Sequence, residues 1–180
     1  MKKHQHIYTY YLKLINNTLL LLTLAVFTTV ARAADLAEYK RIAQETIAQA
    51  QSGDIDDIDQ LIAKQSRLMQ IGIEACNEYA RKHPNTKPVL DVVTSNAKMM
   101  KQLSLAQIEE KWHQGGELKK YGYTLKDDHF GDVGNLIDAI IHPATSYIAL
   151  NNFKASGDQA HLQQVVAELS EVLVHLDHLE

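Results

Sequence analysis

The sequence contains a single cysteine, Cys76, and this scarcity excludes a class of small secreted proteins. One thiol cannot form an intramolecular disulfide, so the chain is not a disulfide-stapled scaffold. Cys76 stands among apolar residues, which predicts a buried, unreactive thiol over one that bridges two chains. Covalent c-type haem is excluded as well, because the sequence has no Cys-x-x-Cys-His segment.

The motifs of several common enzyme classes are also missing. There is no His-Glu-x-x-His motif, no Gly-x-Ser-x-Gly nucleophile elbow and no glycine-rich phosphate loop. The segment from Glu110 to His113 is one Glu-x-x-His, whereas a ferritin-like di-iron centre needs two of them plus two further glutamates. An enzyme that uses His129 or His142 as general base is therefore the weakest of three hypotheses, and the sequence favours a non-catalytic protein.

Residues 1–33 have the composition of a cleavable secretory signal. Three lysines precede an apolar run from Leu19 to Phe27, and small residues at Ala31 and Ala33 suit signal peptidase. Polar residues on both sides keep the run short of the roughly 20 apolar residues that span a bilayer, so an uncleaved anchor is the weaker alternative. We predict that residues 34–180 form one soluble domain, periplasmic or secreted, without stable membrane insertion.

Basic residues are fewer than acidic residues in this sequence. The chain has 18 basic and 22 acidic residues. Four of the basic residues and none of the acidic ones lie in residues 1–33, so 14 basic and 22 acidic residues remain beyond them, a formal charge of −8. This charge argues against nucleic-acid partners. It supports the second hypothesis, a periplasmic protein-protein interaction module (inhibitor, adaptor or stress-response partner) whose acidic surface meets a basic protein.

Apolar residues recur at helical spacing along residues 34–180, and no strand-like alternation is found. Capping residues, glycines and prolines divide this part of the chain into predicted helices near 35–52, 54–83, 89–114 (with a restart near Ser104), 129–154 and 158–179. The fourth is apolar around most of its circumference and belongs in the centre. The sequence therefore predicts an all-α, antiparallel up-and-down helical bundle of four long helices plus one short helix.

The central predicted helix carries one polar arc, made of Asn135, Asp138, His142, Thr145 and Ser146. Asp138 and His142 are four residues apart and share a helical face. If the arc faces another helix, His142 is either a core histidine whose hydrogen bond is satisfied by Asp138 or a metal ligand beside that carboxylate. Both interpretations stay open.

Pro143 lies inside the same predicted helix. It removes a backbone donor, frees the carbonyl of Ala139 and predicts a kink. Two features could offset the loss: a hydrogen bond from Thr145 or Ser146 to the freed backbone, or a ligand cavity beside the kink.

The last predicted helix places Glu168, Glu171, His175 and His178 on one face. We expect this face to lie opposite the leucine and valine stripe, and hence in solvent. A divalent transition metal can bind such a set, and a solvated surface with weak ion pairing is the alternative.

Aromatic and ligand-capable residues are dense near the segment 114–128, the longest irregular connection that we expect: Trp112, His113, Tyr121, Tyr123 and His129. Long connections of this composition are typical of binding loops. The alternative is that the aromatic rings close the end of the bundle.

The leading hypothesis from the sequence is an exported, non-catalytic helical bundle that binds a metal ion or small ligand. The binding groups would lie near Asp138, His142 and the end of the bundle that carries His113 and His129. The cofactor that these residue types suit is a divalent transition metal. Haem held between a methionine and His142 or His175 is permitted by residue type alone.

Overall fold

Helices make up the regular structure of the residues that can be described. The computed structural model describes residues 35–123 and 131–177. The predicted leader, His129 and His178 lie outside these ranges. Backbone contacts separate residues 1–37 from residues 38–180, and the packing described below concerns the second unit. No strand occurs in the described residues, so the predicted all-α bundle is confirmed.

Each of the five predicted helices is present, the third in separate pieces. The long helices are α1 (35–52), α2 (Ile58–Lys82), α3 (Lys87–Met100), α6 (Asp132–Ser156) and α7 (Ala160–Asp177). Between α3 and α6 lie the one-turn helices α4 (Leu105–Ile108) and α5 (Gly116–Lys119), with a π-turn, Glu109–His113, directly after α4. Among the described residues, no helix is both long and apolar enough to cross a membrane.

Side-chain caps explain where two of the helices begin. Ser104 and Gln107 form a reciprocal capping box, which starts α4 and confirms the predicted restart. Helix α2 begins at Ile58 and not at Asp54 as predicted. The reason is that Asp57 caps it, since its carboxylate accepts the backbone N–H of Gln60 at 3.0 Å.

Helix α6 lies in the centre of the bundle, as predicted. Every residue from Val133 to Ser146 is buried, and the helix packs against α2, α3 and α7. Helices α2 and α6 are antiparallel, because residue numbers fall in α6 as they rise in α2. Three contacts show this order: Asp59 with Lys154, Cys76 with the carbonyl of Leu136, and Tyr79 with Asp132.

Pro143 is accommodated by a residue on α1. The hydroxyl of Tyr39 donates to the carbonyl oxygen of Ala139 at 3.0 Å, and this is the oxygen that Pro143 leaves without its helical donor. The expectation that Thr145 bonds the freed carbonyl is wrong, since its hydroxyl donates to Ile141 at 3.1 Å. Ser146 does not bond it either, because its Oγ has no hydrogen-bond partner.

Gly72 on α2 packs against the same carbonyl. A Cβ atom at this position would lie 2.7 Å from the oxygen of Ala139 and 2.9 Å from a side-chain carbon of Ile140. Only a glycine allows the two backbones to approach this closely. The close contact fixes α2 against the part of α6 that carries Asp138 and His142.

Candidate metal site

A cavity of about 270 Å³ lies between α6, α7 and the π-turn, and its lining is made entirely of acids and histidines. The seven lining residues are Glu109, His113, Asp138, His142, Glu168, Glu171 and His175. They supply three imidazoles and four carboxylates. All of these are groups that bind divalent metal ions.

The three imidazoles share a sequence pattern. Each follows an acidic residue by four positions: Glu109 and His113, Asp138 and His142, Glu171 and His175. Residues four apart share a helical face, so each of the three elements presents one carboxylate and one imidazole to the same space. No other histidine in the sequence has an acid four residues before it. This recurrence is a signal for Glu109 in the sequence, and Glu109 was not among the predicted site residues.

Two short contacts cross from α6 to α7. The Nδ1 atom of His175 lies 2.6 Å from Oδ2 of Asp138, and the Nδ1 atom of His142 lies 2.8 Å from Oε2 of Glu168. We predicted that Asp138 would satisfy His142 within the same helix if His142 were a core histidine. That pairing is wrong, because both side chains point across to α7 and find partners there.

The burial of His175 also differs from expectation. We predicted a solvent-exposed face, whereas His175 is only 3% exposed. Successive residues of an α-helix differ by about 100°, so His175 lies only about 60° around α7 from the buried Val172. The histidine therefore borders the apolar stripe and does not lie opposite it. Glu171, one turn earlier, is exposed and lines the open side of the cavity.

His113 reaches the cavity from the end of the π-turn. The N–H of Gln114 donates to the carbonyl of Glu109 five residues earlier, and turns of this kind are frequent at functional sites. Nε2 of His113 lies 2.8 Å from Oγ1 of Thr145 and 3.5 Å from Oε2 of Glu168. The Thr145 hydroxyl donates to Ile141 and accepts from His113 when Nε2 carries the ring proton.

The cavity affects its histidines in opposite ways. Burial and the neighbouring His142 lower the pKa of His113. Burial acts to lower the pKa of His142 too, but the hydrogen bond with Glu168 and the charges of Asp138, Glu168 and Glu171 together raise it above its ordinary value. On the far side of α6, burial and the charge of Asp138 raise the pKa of Tyr39.

Two trios of side chains have the spacing of a metal site. The donor atoms of Asp138, His142 and His175 all lie within 4.8 Å of one another, and the same holds for His113, His142 and Glu168. Ligand atoms at 2.0–2.1 Å around a tetrahedral ion are about 3.4 Å apart. Either trio therefore needs only small side-chain movements to surround an ion.

No protein-family model, curated protein or solved structure matches the chain.

The cavity brings together Asp138, His142, Glu171, His175 and His113 from the predicted site residues. Trp112 lies instead in the hydrophobic core, Tyr123 packs against that core, and Tyr121 is 60% exposed. None of the three lines the cavity. The positions of Trp112 and Tyr123 agree with the packing alternative, and their part in ligand binding stays a prediction, as does that of His129 and His178.

The methionines required for a methionine–histidine haem site lie elsewhere. Met69 and Met100 are buried in the hydrophobic core, and Met99 is 55% exposed. None of them is among the residues that line the cavity with His142 and His175. The donor set of the cavity is nitrogen and oxygen only.

Proposed function

We propose that this protein is an exported, non-catalytic metal-binding protein that holds a divalent transition-metal ion through Asp138, His142 and His175. The observation that carries the proposal is the trio itself. Its three side chains are buried, come from two helices, and have donor atoms within 4.8 Å of one another. Imidazole nitrogen and carboxylate oxygen are both common ligands of zinc in proteins.

The cavity supports metal binding over a purely structural role for these residues. Taking charged groups out of water is unfavourable, and buried ion pairs contribute little net stability. Yet four carboxylates and three imidazoles surround about 270 Å³ of space that apolar side chains could fill. An ion offsets the desolvation of the carboxylates and satisfies the imidazoles at the same time.

The ligand types narrow the choice of metal. Imidazole and carboxylate donors suit zinc, nickel, cobalt and iron, and the lack of a sulfur ligand disfavours copper(I). His142 has a carboxylate partner on Nδ1, since Glu168 lies 2.8 Å away. Metal-binding histidines commonly donate one ring N–H to such a group, which leaves the other nitrogen for the metal. Zinc is therefore a suitable probe.

The test is isothermal titration of zinc into the full-length protein, purified without a histidine tag or chelator. We expect His142→Ala to weaken zinc binding at least about a hundredfold, because the loss of an outer partner alone weakens metal binding 10- to 100-fold. His161→Ala is the matched control, since His161 lies on α7 but does not line the cavity. Circular dichroism checks that helicity is kept.

No zinc binding by the wild-type chain, or equal affinity in His142→Ala, would contradict the proposal.

Export with cleavage after Ala33 stays a prediction from the sequence, which N-terminal sequencing of protein recovered from the periplasm or the medium tests. The interaction module also stays a prediction, because net charge alone points to no particular surface.

A further inference from the structure

We infer that the cavity holds two divalent ions, side by side. The first ion lies at Asp138, His142 and His175, as proposed above, and the second lies at His113 and Glu168, beside the ring of His142. The inference rests on the proposed metal-binding function and adds a second position to it.

The number of donors is the first reason. A structural or catalytic zinc ion takes four or five ligands, and even an octahedral ion takes six. Seven side chains line this cavity, and four of them are carboxylates with two oxygens each. One four-coordinate ion leaves at least three of the seven side chains without a metal bond. Two ions use the whole set.

The spacing of the two trios is the second reason. Asp138 and His142 lie four residues apart, which is about 6 Å along α6. Each makes its own contact with α7, to His175 and to Glu168. The ring of His142 has a neighbouring imidazole in both trios, with centroids 5.0 Å from His113 and 5.8 Å from His175. Ions in two-metal sites are about 3.5–4 Å apart, so two positions fit along this length.

Charge is the third reason. The four carboxylates of the cavity carry a formal charge of −4 when ionised. A single divalent ion neutralises half of it, and two neutralise all of it. Asp138 is buried and Glu168 is half-buried, so one ion beside each offsets the desolvation of that carboxylate, while the exposed Glu109 and Glu171 keep contact with water.

The second position is the more open one. Asp138, His142 and His175 are all buried, whereas His113 and Glu168 are half-buried and Glu109 and Glu171 are exposed. The exposed carboxylates lie in the same cavity and can complete the coordination of the second ion. We therefore expect the second ion to exchange faster with solvent than the first.

The experiment counts bound ions. The full-length protein is loaded with excess zinc, exchanged into a volatile buffer and measured by native mass spectrometry, with elemental analysis as a second count. We expect two zinc ions per wild-type chain. Asp138→Asn and Glu168→Gln keep the shape of each side chain while removing its charge, and each should retain one ion. The double variant should retain none, and His161→Ala should retain two.

Each outcome decides one question. One ion in the wild-type chain at saturation overturns the second position and leaves the proposed function intact. No bound ion overturns both. Two ions in the wild-type chain that persist in Asp138→Asn, in Glu168→Gln and in the double variant would place the metal elsewhere on the protein, and this too overturns the inference.

Discussion

The side of α6 that packs against α1 and α2 and the side that faces α7 are both buried, and both carry polar groups. On the first side, the carbonyl of Ala139 accepts from Tyr39, that of Leu136 accepts from Cys76, and Gly72 closes the remaining distance. On the second side, acids and histidines meet one another across a cavity of about 270 Å³. The same helix is therefore closely packed on one side and open on the other.

The difference separates packing from binding. On the side that packs against α1 and α2, polar side chains bond to backbone carbonyls and the helices are in close contact. On the other side, acids and histidines pair with one another from α6 to α7, and the cavity beside these pairs has room for a further charged species. Substitutions on the two sides of α6 should therefore have opposite consequences for stability.

The largest effect on stability is expected for Gly72→Ala. The added Cβ would lie 2.7 Å from the carbonyl oxygen of Ala139, and backbone atoms cannot yield as a side chain does. We expect the free energy of unfolding to fall by about 2–3 kcal/mol, at the upper end for overpacked cores. Urea denaturation measures it. Asn77→Ala, exposed on the same helix, should change it by less than about 0.5 kcal/mol.

The second effect on stability concerns the carbonyl of Ala139 that Pro143 leaves without a helical donor. Tyr39→Phe leaves the freed carbonyl of Ala139 without a partner, so we expect a loss of about 1–3 kcal/mol. Pro143→Ala restores a backbone N–H that can donate to this carbonyl. In that background Tyr39→Phe should therefore be less harmful. A double-mutant cycle of unfolding free energies measures the coupling, and strictly additive effects would show that the two residues do not share the carbonyl.

The side of α6 that faces α7 should tolerate the loss of its polar groups. Replacing His142 and Glu168 together by leucine removes a buried ion pair and fills part of the cavity. Such replacements are often neutral or stabilising by about 1–4 kcal/mol. We expect the metal-free double variant to be at least as stable as the metal-free wild type in urea, while zinc binding is lost. A clear loss of stability would mean that the pair serves the fold.

The smallest effect is the pH dependence of the metal-free protein. The raised pKa of His142 means that folding takes up a proton above pH 6.5, so its contribution is full below pH 6.5 and is lost as the pH rises through the folded-state pKa. The lowered pKa of His113 affects stability on the acid side of pH 6.5. Its contribution is present above pH 6.5 and is lost as the pH falls towards its folded-state pKa.

These two groups therefore give the metal-free protein its greatest stability near pH 6.5. Unfolding by urea between pH 5.5 and 8.5 in the presence of a chelator measures the curve. His113→Ala should reduce the acid-side loss, and Glu168→Gln should reduce the alkaline-side loss. If neither variant alters its own side of the curve, the histidines do not titrate as described.

The helices were predictable because their signals are local. The capping box at Ser104, the end of α2 before Pro84 and the apolar circumference of α6 all follow from neighbouring residues. Helix α2 started later than predicted because Asp54 and Asp57 are both good caps. The sequence alone does not show which of the two accepts the N–H.

The pairing of the site residues was not predictable in the same way. Asp138, His142 and His175 were recognised as ligand types, but their partners depend on how α7 is rotated against α6. A change of about 60° decides whether His175 is buried or exposed, and hydrophobic spacing places a helix face no more finely than that. Glu109 has a signal in the sequence, since it precedes His113 by four positions, but its place in the cavity depends on the π-turn.

The thiol of Cys76 is a natural probe of how often the interface between α2 and α6 opens. It is buried, donates to the carbonyl of Leu136, and burial raises its pKa to about 12. A thiol reagent needs an exposed thiolate, so labelling must wait until the interface between α2 and α6 separates. Since the chain has no second cysteine, the rate of labelling reports that event alone and needs no engineered probe.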